Sequence, residues 1–265
     1  MNPTRKYFSL DGQLMKMEHF KPKWLKGRHM VYEVLRSFKG KAVFLEDHIA
    51  RMQNTARKTG IGDLPGTDDI RKITHELIDA NGSEDGNILF GLVKEGNKSH
   101  FLACFIRHYY PAPEAYREGV YVRSLNAIRN NPNAKVFNPA LRKKTEYLKE
   151  TREAAEILLV DKDGCITEGS RSNIFLIRGN ELYTPPAAKV LMGITRQKVL
   201  DICHKLGIRV TEQDILLREV LFYESAFITG TSPKVLPVRY IDKFRFNVEN
   251  PIMRKIMIEF DLMMY

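Results

Sequence analysis

Short apolar runs separated by turn residues dominate the first part of the chain and predict strands. Tyr7, Phe8, Ser9 and Leu10, followed by Asp11-Gly12, read as the start of a hairpin. Residues 30–36, MVYEVLR, form an apolar strand, and Phe38-Lys39-Gly40-Lys41 turns the chain into a further strand over 42–45. The period then changes. Ile49, Met52 and Ala56 share one face at helical spacing and predict a helix over 46–59, ended by Gly60. A second helix is expected over 69–79, with Asp68 as its cap and Gly82 beyond it. Strands follow at 88–93 and 101–106, with Gly96-Asn97 in the turn between them, and again at 121–125. Pro111, Pro113 and the stretch Asn130-Asn131-Pro132-Asn133 interrupt the pattern and place a domain boundary near 123–134.

Beyond that boundary a helix is expected over 139–156, rich in Lys, Arg and Glu on its outer face. Strands are expected at 157–160, 165–167 and 173–177, with Asp163-Gly164 as a turn. Val199, Leu200, Cys203 and Leu206 repeat at helical spacing over 195–206, and Gly207 caps that helix. Residues 219–223 read as helical and 226–229 as a buried strand. The pattern divides the chain into a small first domain at 1–122, a connecting loop at 123–134 and a larger second domain at 135–265.

Composition narrows the class. With 265 residues, 43% of them apolar, the chain can bury a substantial core. No apolar run approaches the ~20 residues that span a bilayer, and MNPTRKYFSLDGQL lacks the apolar centre of a secretory signal. The expectation is a cytoplasmic protein with no membrane partner. Cys104, Cys165 and Cys203 are far apart and odd in number, which suggests neither a zinc site nor a disulfide framework. The net charge is +10, but the basic residues are scattered among acids. That reads as a solvated basic surface able to attract anionic small molecules, and not as a nucleic-acid site.

Three segments carry candidate chemistry. Gly193-Ile194-Thr195-Arg196 precedes a strong helix, whose N-terminal N–H groups could bind a phosphate; Thr195 as a simple N-cap is the alternative. Thr229-Gly230-Thr231-Ser232 follows a buried strand and offers hydroxyls beside a glycine, although such residues also make ordinary turns. Glu168 opens EGSRSNIF; it is either a solvated rim residue or a carboxylate facing a ring nitrogen.

The order and gaps of EGSRSNIF (168–175), LYTPP (182–186) and LMGITR (191–196) resemble the signature block of the class IV aminotransferases. That family includes branched-chain aminotransferases, D-amino-acid aminotransferases and aminodeoxychorismate lyases. YEVLRSFKGK (32–41) and LEDHIARMQNTARKTGI (45–61) resemble its N-terminal strand and His-x-x-Arg helix, and residues 213–238 its C-terminal phosphate region. The resemblance implies an α+β fold of two domains, fold type IV, with pyridoxal 5'-phosphate (PLP) at the domain interface, and a homodimer. It implies that Glu168 faces the pyridine nitrogen. A phosphate cradle would come from the 191–195 turn (Leu191, Gly193, the Ile194 amide and Thr195) and from Thr231, closed by Arg51. It places Tyr32 against the substrate, with Thr231 and Ser232 beside it.

In the family the cofactor-bonding lysine opens a strand, and a long helix and another strand separate it from the glutamate. Lys143 lies only 25 residues before Glu168, whereas Lys135 lies 33 before it, leaves the 139–156 helix intact, and is followed by Asn138. Lys135 is therefore the expected lysine. Two departures stand out. Ala140 occupies the place of a tyrosine in many branched-chain members, and residues 92–100 do not match the Arg and His of D-amino-acid members. The implied activity is transfer of an amino group between a branched-chain or similar L-amino acid and a 2-oxo acid. An aminodeoxychorismate lyase, a D-amino-acid aminotransferase and a non-catalytic ligand-binding protein on the same fold are the alternatives.

Overall fold

The computed structural model describes residues 2–25, 30–60, 63–95, 98–129 and 131–264, with the backbone alone at 94 and 95. The expected turn at Gly96-Asn97 and the first residue of the Asn130 stretch lie outside them. The chain divides into two compact units, Met1–Tyr109 with Ala134–Pro139, and Tyr110–Asn133 with Ala140–Tyr265.

In the first unit the elements are β1 (Pro3–Leu10), β2 (Gln13–Lys16), β3 (Tyr32–Phe38), β4 (Lys41–Ala42), α1 (Leu45–Thr59), α2 (Thr67–Ala80), β5 (Gly86–Glu95) and β6 (Lys98–Ile106). The strands form one antiparallel sheet in the order β2-β1-β6-β5-β3-β4. Asp11 and Gly12 both take positive φ, so a two-residue hairpin joins β1 to β2, with Leu10 opposite Gln13. Side-chain alternation sorts the sheet into two buried faces. Val31, Leu35, Ile88, Phe90, Phe101, Ala103 and Phe105 pack with Ile49 and Met52 of α1 and with Ile70, Ile73 and Leu77 of α2. Tyr32, Leu89, Val93, Leu102 and Cys104 lie on the other face, with Phe8, Trp24 and Met30.

The second unit contains α3 (Pro113–Glu118), β7 (Val120–Asn126), α4 (Pro139–Thr151), whose first residue belongs to the first unit, β8 (Glu156–Val160), β9 (Cys165–Gly169), β10 (Asn173–Arg178), β11 (Glu181–Thr184), α5 (Ile194–Lys205), β12 (Arg209–Glu212), β13 (Ile215–Leu216), β14 (Ser225–Gly230), β15 (Lys234–Ile241), β16 (Phe244–Arg245) and α6 (Pro251–Leu262). Its sheet runs β12-β11-β10-β14-β15-β7-β8-β9-β13, with β16 on β15. Val122, Leu158, Ile166, Ile174, Ile228 and Val238 fill one core. Phe175 and Phe227, directly opposite each other on β10 and β14, stack with centroids 5.1 Å apart. No helix among the described residues is long and apolar enough to cross a membrane.

The structure differs from the sequence expectations in several places. Of residues 42–45 only Ala42 is in a strand, the end of β4: Phe44 takes a left-handed conformation (φ 55°), and Leu45 already belongs to the buried face of α1. Helix α2 starts at Thr67, so Asp68 lies in its first turn and not at its cap. Pro113, expected only to break the pattern, begins α3, where a missing N–H costs nothing. Helix α4 stops at Thr151, because Glu156 is drawn into β8 by buried partners described below. Residues 217–222 form a 3-10 turn. The division of the chain also differs from 1–122, 123–134 and 135–265. β7 pairs with β8 and β15, so it belongs with the second sheet. Residues 134–139 belong with the first unit: Val136 bridges Val31, and the Phe137 N–H donates to the Met30 carbonyl at 3.0 Å.

Candidate active site

The residues singled out from sequence fall into two groups, one in each unit. Tyr32, Arg51 and Lys135 are in the first; Glu168, Leu191, Gly193, Ile194, Thr195, Thr231 and Ser232 are in the second.

In the first unit Lys135 is carried by the short segment beside Met30–Tyr32. Its backbone carbonyl accepts from the Tyr32 N–H at 3.4 Å, and its own N–H donates to Thr55 Oγ1 of α1 at 3.4 Å. The ammonium stands over the Tyr32 ring, 5.4 Å from the centroid. Tyr32 in turn meets Phe137 edge-on at 6.0 Å. Lys143 and Lys144, by contrast, are exposed on α4. Arg51 projects from α1 onto Glu33 of β3: Nε donates to Oε1 at 2.8 Å and Nη2 to Oε2 at 2.6 Å. His48, one turn earlier on α1, brings Nδ1 within 2.8 Å of Glu33 Oε2. Burial pushes the His48 pKa down, only partly opposed by Glu33, so the imidazole is neutral and donates from Nδ1. Burial alone would raise the Glu33 pKa, but the charge and hydrogen bonds of Arg51 and His48 outweigh it and hold the carboxyl far below its usual range.

In the second unit Glu168 lies inside β9, and only 2% of it is exposed. It is therefore not a rim residue. Oε1 accepts from Arg129 Nε at 2.9 Å, and Oε2 accepts from the Leu191 N–H at 3.3 Å. Arg129 also donates to the Ser170 carbonyl at 3.1 Å, tying the turn after β9 to the same guanidinium. That turn is built by Glu156. Its buried carboxylate accepts from Ser170 Oγ at 2.6 Å, Ser172 Oγ at 2.9 Å and the Ile157 N–H at 2.8 Å, and pairs with Lys149 at 3.2 Å. Burial works against this ionised carboxyl, yet Lys149 and the two hydroxyls bring its pKa below the ordinary value.

The Leu191 carbonyl receives Asn173 Nδ2 and the Gly193 N–H, each at 2.8 Å. Gly193 occupies the cap position of α5 without any side-chain cap, and Thr195 is buried in the first turn. Thr195 is thus not the N-cap that sequence allowed. The first amides of α5 start from Ile194, where a helix end favours an anion. Arg196, fully buried, secures this start through Glu212 Oε1 at 2.8 Å and the Pro185 carbonyl at 3.4 Å. Thr231 and Ser232 sit in the turn between β14 and β15. Its flank is joined to the same place, because Asn173 pairs with Thr229, and a Cβ on Gly230 would come 3.2 Å from the Arg171 carbonyl. Glu168, the 191–195 turn and the 229–230 strand end therefore converge on Asn173.

Sequence reasoning noted His48 only as part of the His-x-x-Arg pattern and passed over Glu33, Arg129, Asn173 and Glu156. A signal for Glu33 was present: the alternation Val31-Glu33-Leu35 puts a carboxylate on a buried face, opposite a His and an Arg three residues apart on a helix. Arg129 gave none, since only the tertiary fold brings it to Glu168.

A family model described as "Amino-transferase class IV" matches residues 30–241. The chain belongs to this family of PLP-dependent aminotransferases. It is 28% identical over 223 residues to a D-alanine aminotransferase of Bacillus licheniformis, covering 80% of this chain and 78% of that one. It is 29% identical over 232 residues to a branched-chain-amino-acid aminotransferase of Pseudomonas aeruginosa, covering 80% and 76%. A solved branched-chain aminotransferase of Thermoproteus uzoniensis superposes with a TM-score of 0.86 at 25% identity, over 97% of this chain and 94% of that one.

The residues present fit the family's cofactor. A buried acid paired with an arginine (Glu168 with Arg129) and a helix start for a phosphate lie within one unit, where Gly193 leaves no room for a Cβ beside Asn173. Thr229 Oγ1, next to the second loop, is a buried hydroxyl without a hydrogen-bond partner.

Proposed function

We propose that the chain transfers the amino group of a branched-chain or similar L-amino acid to a 2-oxo acid, with Lys135 as the catalytic base. The observation that carries this reading is the buried Glu168 carboxylate, joined through the Leu191 amide to the turn that opens α5. Bound PLP supplies an aldehyde and an electron-withdrawing pyridinium ring. In this reading Glu168 would accept a hydrogen bond from the protonated ring nitrogen, and Arg129, permanently cationic, pairs with Glu168 Oε1 at 2.9 Å and orients it. The Ile194 and Thr195 amides, Thr231 and Arg51 would hold the phosphate. Lys135 Nζ would be the amine that holds the cofactor's aldehyde, and the same amine, standing over the Tyr32 ring, would serve as the base that takes the substrate's α-proton. Tyr32, buried against Phe137, offers an aromatic wall suited to an apolar side chain, which supports branched-chain substrates. The reading carries a homodimer in the cytoplasm.

The test is a half-reaction panel. The yellow holoenzyme is mixed with single L- and D-amino acids, and its absorbance is followed. Bleaching with L-valine, L-leucine or L-isoleucine, and none in Lys135→Ala, is expected. Bleaching by D-amino acids alone would reassign the substrate's handedness. Pyruvate released from aminodeoxychorismate without any 2-oxo acid would assign the lyase reaction. No bleaching with any amino acid overturns the aminotransferase reading.

A further inference from the structure

From the geometry around α1 we infer that Glu33 is a positioning residue: it fixes the guanidinium of Arg51 in the orientation that receives the cofactor's phosphate. The inference rests on the phosphate role proposed above for Arg51 and adds to it a residue that touches neither cofactor nor substrate.

Glu33 is placed by strand alternation. It follows Val31 and precedes Leu35 on the face of β3 that packs against α1, and it is fully buried. An ion at such a position is costly unless it is paired and fully hydrogen-bonded, and a helix–strand contact of this kind is ordinarily filled by aliphatic side chains. Here the pairing is complete. Arg51 meets the carboxylate fork to fork through Nε and Nη2, and His48 donates to the same Oε2 from the preceding turn of the helix. The two-point contact fixes the plane of the guanidinium, and so the direction in which Nη1 projects. Arg51 is itself almost enclosed, its side chain 9% exposed, so it cannot be a surface cation steering ligands from solvent. His48 adds a donor without adding charge. The cluster thus spends its hydrogen-bonding capacity on the orientation of one arginine. An arginine that needed only to be present could have been left to water.

The inference separates a phosphate effect from a stability effect. Pyridoxamine phosphate and pyridoxamine bind without a bond to Lys135 and differ only in the phosphate. Their dissociation constants are measured by calorimetry on the full chain freed of cofactor, in Glu33→Gln, Arg51→Gln and the double variant. Glu33→Gln should weaken pyridoxamine phosphate by about tenfold, the scale of one aligned charge-assisted contact, and change pyridoxamine by less than about twofold. In the Arg51→Gln background the Glu33 substitution should add nothing, because its effect passes through Arg51. Should Glu33→Gln fail to fold, Glu33→Asp keeps the charge but shortens the reach, and should show a smaller loss confined to the phosphorylated ligand. Equal weakening of both ligands, or additivity with Arg51→Gln, would reduce Glu33 to a structural ion and overturn the inference. An Arg51→Gln variant that binds both ligands as the parent does would instead remove Arg51 from the phosphate, overturning the reading beneath it.

Discussion

Gly193→Ala tests the geometry of the second unit most sharply. The backbone at Gly193 (φ −64°, ψ 137°) is ordinary extended chain that any residue adopts, so conformation does not demand glycine. Space does: an added Cβ would land on Asn173 Oδ1 and lie 3.3 Å from Asn173 Cγ. Asn173 is buried and donates to the Leu191 carbonyl at 2.8 Å. Making room means rotating its amide, which abandons that hydrogen bond inside the protein. An unsatisfied buried polar group costs about 1–3 kcal/mol, and an off-rotamer side chain adds about 1 kcal/mol. A loss of roughly 2–4 kcal/mol corresponds, for a chain of this size, to a fall in Tm of roughly 5–12 °C. Leu191 also donates its N–H to Glu168, so the shift reaches the carboxylate, and the affinity for pyridoxamine phosphate should fall by about tenfold. Differential scanning calorimetry and titration of the ligand measure both. In an Asn173→Ala background the clash partner is gone, and Gly193→Ala should then cost little. A Tm within 2 °C of the parent, or full additivity of the two substitutions, would refute the reasoning.

Two further predictions follow from the charged groups. Glu168→Gln should retain the yellow colour through Lys135 but slow the bleaching half-reaction by about two orders of magnitude, the scale of one lost preorganised electrostatic partner; unchanged stopped-flow rates would remove Glu168 from the ring nitrogen. The buried His48 and Glu33 should make the chain acid-labile. Both folded-state pKa values are depressed, from 6.5 and 4.5, so the unfolded chain takes up protons that the folded chain refuses. Their stabilising contribution is whole above pH 6.5 and is lost as pH falls, first through His48 and then, below 4.5, through Glu33. Urea unfolding between pH 7.5 and 4 reads this, and His48→Gln should flatten the limb between 6.5 and 5; an unaltered limb would assign the lability elsewhere.

Much of the fold was legible because it rests on local periodicity. The strands around 30–36, 88–93 and 101–106 and the helices beginning at 45 and 194 come from alternation or helical spacing that their tertiary neighbours reinforce. The expected helix over 139–156 was too long because its last residues obey a different rule. Helical propensity carries the chain only to Thr151, and Glu156 is claimed by Ser170, Ser172 and Lys149. Helix α6 was missed although its marks are in the sequence. Asn250 caps Ile252 and Met253, Pro251 takes the first helical position, and Met253, Ile256 and Phe260 form the buried stripe. Arg129 and Asn173 belong to another category: each is defined by partners 18 to 56 positions away in the chain, a relation that no local window contains.

The same distinction explains why family is easier to read than substrate. Glu168 is held in mid-strand, Gly193 and Thr195 open a helix, and Asn173 pairs within a sheet, so each is positioned by hydrogen-bonded backbone that tolerates little change. Their spacing is therefore legible in the chain as a local pattern, whereas overall identity to the two relatives named above is 28–29%. Asn173 concentrates that constraint. Its backbone fixes the register against Thr229, its amide nitrogen holds Leu191, and its amide oxygen requires glycine at 193. A substitution at any of these positions must therefore displace the others, and the cradle and Glu168 should respond as one body to changes that touch only one of them.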